Sequence, residues 1–107
     1  MEHITAPELA AWIADSERPT PLLLDVREPW ENQTCSIEGS TLIPMNTIPG
    51  RFAELDEEQP VVCICHHGAR SAQVAAFLER QGFTKVANLT GGIHAWATQV
   101  DSAMPTY

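Results

Sequence analysis

Apolar residues in this chain fall into short, nearly continuous runs separated by stretches of helical period. Leu22 to Val26 and Val61 to Cys65 have the density of strands buried on both faces. Thr41 to Ile43 and Lys85 to Leu89 read as two more short strands. Between them the clearest helix runs from Ala69 to Gln81, with Val74, Phe77 and Leu78 on one face and Ala72 and Ala75 as small neighbours. Gly82 suits the first position beyond that helix, and Phe83 after it can touch Leu78 in a Schellman stop. Thr5-Ala6-Pro7-Glu8 is a capping box, with Ile4 and Leu9 as a hydrophobic staple, and predicts a helix from Ala6 to Asp15. Glu28 to Asn32, with Pro29 at its start, is a helical turn, and Pro49 to Leu55 a short helix. Gly91-Gly92 makes a tight turn into a final helix from Ile93 to Gln99.

Strands alternating with helices through short connections predict an α/β fold in which a parallel sheet is covered by helices on both faces. Ligands in such sheets gather at the carboxyl ends of the strands. Cys65 lies at one such end, and Asp25 with Arg27 at another.

The run Cys65-His66-His67-Gly68-Ala69-Arg70-Ser71 therefore carries the candidate chemistry. A thiol at the tip of a buried strand, ahead of a turn that feeds a helix, faces backbone N–H groups and the positive end of the helix dipole. Such a field favours thiolate over thiol. Free cysteine titrates near pH ~8.5 and falls to roughly 3.5–7.5 in sites of this kind, which makes it nucleophilic at neutral pH. Gly68 permits a positive φ, Arg70 brings a permanent guanidinium and Ser71 a hydroxyl at the helix start. A lone cysteine is most often a buried small hydrophobe. These three neighbours set Cys65 apart from that ordinary case.

The same run resembles the active-site loop of the rhodanese family, sulfurtransferases that carry a sulfane sulfur as a cysteine persulfide. Leu23-Leu24-Asp25-Val26-Arg27-Glu28-Pro29-Trp30-Glu31 is similar to the family's strand ending in Asp-Val-Arg and the helix after it. Ile37-Glu38-Gly39-Ser40 with Ile43-Pro44, and then Gly82-Phe83, Val86, Gly91-Gly92-Ile93 and Trp96, resemble its later turns, strands and helix. The likeness covers nearly the whole chain and implies one rhodanese-like domain over residues 1–107, with a parallel sheet of about five strands. It implies Cys65 as the nucleophile and His66, His67, Gly68, Ala69, Arg70 and Ser71 as the loop that binds substrate, supported by Asp25 and Arg27. A small sulfur donor such as thiosulfate would load Cys65, and cyanide in vitro, or a thiol or protein in the cell, would collect the sulfur. No cofactor is implied. The chain departs from the family in having Cys35-Ser36 in place of the usual Gly-His, and His66 and His67 where thiosulfate-specialised members carry stronger cations.

Arg70 either pairs with an anionic donor or rigidifies the loop. Cys63, Cys65, His66 and His67 are close in sequence, but zinc sites draw ligand pairs from two separated segments and no second pair exists, so no metal is expected. Cys63 stands about 6.6 Å along the strand from Cys65 with a parallel Cβ, which suits core packing and not a disulfide. A resolving role for Cys35 against a Cys65 persulfide is open, and nothing in the sequence places Cys35 near the loop. Asp25 satisfies loop N–H groups or pairs with Arg27. Trp12, Trp30 and Trp96 are expected in the core or lining a groove. Cysteine phosphatases and arsenate reductases place five residues between cysteine and arginine, whereas Cys65 and Arg70 enclose His66, His67, Gly68 and Ala69, a smaller cradle that suits a single sulfur atom. A non-enzymatic module that binds a partner or senses oxidants is the alternative from another class. Whether the tail from Val100 to Tyr107 packs on the domain or meets a partner is open.

Composition changes the picture in three places. With 6 basic and 14 acidic residues the formal charge is −8, so nucleic acid is not an expected partner, and any anionic substrate must be captured locally, within a Debye length of ~8 Å. No apolar run approaches the roughly 20 residues of a membrane span. Three cysteines, without a secretion-type N-terminus, read as reduced thiols in a cytoplasmic, monomeric protein.

Overall fold

The apolar runs become the centre of a parallel sheet. The computed structural model describes residues 1–107 and contains β1 (Glu2–Ile4), α1 (Ala6–Ala14), β2 (Leu22–Asp25), α2 (Pro29–Thr34), β3 (Thr41–Leu42), α3 (Ile48–Arg51), β4 (Val61–Ile64), α4 (Ala69–Arg80), β5 (Val86–Leu89) and α5 (Gly92–Gln99). Two 3₁₀ turns, Met45–Thr47 and Phe52–Glu54, flank α3. The strands lie in the order β1-β5-β4-β2-β3, all pairs parallel. The predicted α/β class, five-stranded sheet and helices on both faces are all present.

Alternation along the central strand divides the core into two layers. Val61, Cys63 and Cys65 pack with Val74, Ala75 and Leu78 of α4 and Ile48 of α3. Val62 and Ile64 point the other way, into Leu9 of α1 and Ile93 and Trp96 of α5. One residue of slip in β4 would exchange these layers and turn Cys65 away from α4.

Local signals formed as read. Thr5 Oγ1 accepts the Glu8 N–H, and Glu8 accepts the Thr5 N–H. At the end of α4 the Phe83 N–H reaches the Leu78 carbonyl and the Gly82 N–H that of Glu79, with Gly82 at φ +102°, which is the Schellman pattern. One strand escaped the sequence reading. β1 is an exposed edge that pairs with β5, Glu2 opposite Ala87 and Ile4 opposite Leu89, and its single apolar residue leaves no strand pattern to detect.

The topology positions the site. From β2 the chain passes outward to β3, and from β4 outward to β5 on the other side. Asp25 and Cys65 thus stand at the carboxyl ends of the two strands where the order reverses, the crevice in which open α/β sheets bind ligands.

Candidate active site

Cys65 follows the last residue of β4 and is 1% exposed. After it His66 and His67 form a turn, and Gly68 adopts φ +109° to direct the chain into α4. This turn folds the Gly68 N–H back onto Cys65 Sγ at 3.1 Å. The first-turn amides of α4 have no carbonyl partner within the helix, and its twelve residues give the dipole full effect at this end.

The Ser71 hydroxyl, one turn into α4, lies 3.2 Å from Cys65 Sγ and also faces Asn88 Oδ1. It has one proton for two acceptors. With Cys65 a thiol, the hydroxyl proton serves Asn88; with Cys65 a thiolate, it turns to the sulfur. Asn88 in turn donates through Nδ2 to the Gly68 carbonyl at 3.1 Å, so one amide braces both the hydroxyl and the turn. The sequence reading passed over Asn88. Its signal was a polar side chain in the otherwise apolar run Val86 to Leu89, buried at 4% exposure and so in need of partners.

The back of the loop rests on α5. The Ile93 and His94 N–H groups donate to the carbonyls of Cys65 and His66 at 2.8 and 3.1 Å. With those carbonyls occupied behind, the amides of the turn and of the start of α4 are left for the front.

Arg70 makes a two-pronged ion pair with Glu31, Nη1 to Oε1 at 2.7 Å and Nη2 to Oε2 at 2.8 Å. The pair ties the start of α4 to α2. Glu31 is buried at 3% exposure, and Arg70 and the Tyr107 hydroxyl together hold its carboxyl down to about 2 against the cost of burial. Tyr107 donates to Glu31 Oε2 at 2.6 Å and accepts from Arg27 Nη1 at 3.1 Å. Arg27 is wholly buried, fixed by Asp25 through Nε at 2.9 Å and Nη2 at 2.7 Å. Asp25 thus fills both of its expected roles, accepting the Arg27 N–H at 3.1 Å at the strand end and pairing with the Arg27 guanidinium, and the pair reaches the loop through Tyr107, Glu31 and Arg70.

The tail, open in the sequence, packs on the domain. The Tyr107 ring stacks on His66 at 4.0 Å between centroids, and His66 stacks on His67 at the same separation. Burial and the neighbouring His67 keep His66 below the ordinary imidazole value. His67 and Ala69 are exposed at the rim. Cys35, unplaced by sequence, is buried with Arg27 Nη1 3.9 Å from its sulfur, and lies under the tail with His66 and Tyr107 around a gap too small for a water molecule. Trp30 corrects an expectation: it is 59% exposed and meets Tyr107 edge-on, because the six-residue α2 buries Glu31 and turns Trp30 outward. Trp96 is in the core as expected. Cys63 is completely buried, its thiol pushed up to about 12 by burial, which makes it a packing residue.

Comparison with known proteins agrees with this geometry. The model of the rhodanese-like domain matches residues 5–99. A sulfurtransferase of Allochromatium vinosum is 40% identical over 97 residues, which is 91% of this chain and 89% of that protein. The thiosulfate sulfurtransferase GlpE of Stutzerimonas stutzeri is 33% identical over 75 residues, 70% of this chain and 69% of that one. Among solved structures, a rhodanese-like domain protein from Staphylococcus aureus superposes with a TM-score of 0.84 at 33% identity, covering 100% of this chain and 99% of that one.

Proposed function

This chain belongs to the rhodanese-like family, and from that premise we propose that it is a sulfurtransferase which carries sulfane sulfur as a persulfide on Cys65. The observation that supports this most directly is the sulfur itself, held between the Gly68 N–H and the Ser71 hydroxyl at the N-terminus of α4. Those donors stabilise negative charge on sulfur without any charge of their own to neutralise it.

The reaction divides into two displacements. The Cys65 thiolate attacks the outer sulfur of a donor such as thiosulfate; the new S–S bond forms as the donor's S–S bond breaks, and sulfite leaves with the electron pair. A nucleophile then attacks the terminal sulfur of the persulfide, and the pair returns to Cys65 Sγ. Cyanide serves in an assay and yields thiocyanate; in the cell the acceptor is a thiol or a protein. No proton need be abstracted once Cys65 is ionised, so Asp25 is free for its pairing with Arg27. His66, His67, Gly68, Ala69, Arg70 and Ser71 form the cradle, with Asp25 and Arg27 bracing it. The three free thiols accord with a reducing cytoplasm, and no helix is long and apolar enough to cross a membrane.

The test is intact-protein mass after exposure to thiosulfate, for wild type and Cys65→Ser, followed by thiocyanate release on adding cyanide. One added sulfur that depends on Cys65 and is discharged by cyanide is the expected result. A wild-type protein that gains no sulfur from thiosulfate or from an organic persulfide would overturn the reading in favour of a partner-binding module.

A further inference from the structure

The charge arrangement around Arg70 bears on which donors the site accepts, and it rests on the sulfur-transfer reading above. Asp25, Arg27, Glu31 and Arg70 form one connected chain, linked through the Tyr107 hydroxyl. Two carboxylates and two guanidiniums cancel. Arg70, the permanent cation beside Cys65, has both prongs taken by a carboxylate that is itself fixed from three sides, by Arg70, by the Glu28 N–H at 3.0 Å and by Tyr107. Its side chain retains 37% exposure, so it has room to turn toward a ligand, and the pairing with Glu31 is what holds it back.

We infer that Glu31, clamped by Tyr107, is a specificity-determining positioning residue that neutralises Arg70 and keeps its guanidinium off the sulfur donor. Capture of a donor then falls to uncharged groups, the amides of the turn and of α4, with the stacked imidazoles His66 and His67 at the rim. With the Arg70 charge paired, no free side-chain cation meets the second charge of a dianion, whereas a single sulfur anion needs only the amides and the dipole of α4. The protein as a whole, at −8, repels a dianion further. The site therefore selects organic persulfides, which carry at most one negative charge, over the thiosulfate dianion: the Cys65 thiolate attacks the outer sulfur of the protonated persulfide, the new S–S bond forms as the donor's S–S bond breaks, the thiolate leaves with the electron pair, and the proton stays on the transferred sulfur.

The experiment is steady-state kinetics of wild type, Glu31→Gln and Tyr107→Phe with two donors, thiosulfate and the persulfide of β-mercaptoethanol, at fixed cyanide. Wild type should show the higher kcat/KM with the persulfide. Glu31→Gln keeps the shape of the side chain and frees the charge of Arg70; KM for thiosulfate should fall about tenfold, a modest share of what one unit charge yields at close range in a partly screened site. KM for the persulfide should move less than about threefold, since it presents at most half the charge. Tyr107→Phe keeps the stack on His66 and removes only the hydroxyl, so it remains informative if the buried substitution at Glu31 prevents folding. It should shift thiosulfate KM in the same direction by roughly two- to threefold. Unchanged thiosulfate KM in the folded variants, or equal shifts for both donors, would overturn the inference and leave sulfur transfer standing. Sulfur uptake from neither donor in wild type would overturn the transfer reading and the inference with it.

Discussion

Gly92 lies against Cys65 so closely that a Cβ on Gly92 would collide with the Cys65 carbonyl oxygen, and with that of His66 beside it. The close approach is what lets the Ile93 and His94 amides take those carbonyls. Gly92 also sits at φ +61°, where a side chain is strained.

Gly92→Ala should accordingly be severe. Collision with backbone and left-handed strain together predict a loss of roughly 2–4 kcal/mol, read as a lower denaturant midpoint, with sulfur transfer falling in the fraction that still folds. Gly50→Ala is the contrast. It lies in α3 with open space around its Cα and no positive φ, and should leave stability unchanged or raise it by up to about 1 kcal/mol.

Ser71→Ala removes one of the two donors to Cys65 Sγ and leaves Asn88 Oδ1 without its hydroxyl partner. Single-turnover persulfide formation, followed by mass or by quenched flow, should slow about tenfold, the scale of one hydrogen bond to a charged group. Ser71→Thr, which keeps the hydroxyl, should recover much of the rate. Equal rates for alanine and wild type would remove Ser71 from the site.

Glu31 makes the protein sensitive to acid. Its carboxyl titrates at about 2 in the folded protein and in the ordinary carboxylate range when unfolded, so the folded state binds fewer protons. Its contribution is fully present above pH ~4.5 and is lost as pH falls toward 2. Acid unfolding of Glu31→Gln, which has no such proton to take up, should be less steep across that window than that of wild type. Identical steepness would argue that Glu31 does not couple folding to pH.

Cys63 should be silent. Its thiol, pushed up to about 12, remains protonated at every pH used for turnover, and no part of it is exposed. Wild type should thus gain sulfur at one cysteine, and Cys63→Ser should gain it as well, at a stability cost on the order of 1–3 kcal/mol for a buried hydroxyl. Loss of uptake in a folded Cys63→Ser protein would give Cys63 a part in the chemistry.

What could be read from the sequence divides by range of interaction. The capping box at Thr5 and the Schellman stop at Gly82 are written within a few consecutive residues, and the alternation of apolar runs with helical stretches was enough for four of the five strands and for placing Cys65 at a strand end. Ser71 and Gly68 were found because they share a loop with the cysteine. Glu31 and Tyr107 were not, since their meeting spans 76 positions; the local pattern of Glu31, as the third residue of the helix after Glu28, speaks only for the start of α2. Trp30 was misplaced for the opposite reason: an aromatic side chain carries a general preference for burial, and the inward face of α2 is taken by Glu31, whose partners Arg70 and Tyr107 are remote in sequence.

The position of β1 separates two events in time. Joining Glu2 to Ala87 closes almost the entire chain into one loop, a closure whose entropic cost rises only with the logarithm of length but which is slow because it waits on distant partners. The strands that frame Cys65 do not wait for it: β2, β4 and β5 pair with one another directly. The ladder that holds the strand ends at Asp25 and Cys65 thus contains no bond from the first strand, and loss of the edge would subtract from stability without displacing the thiol.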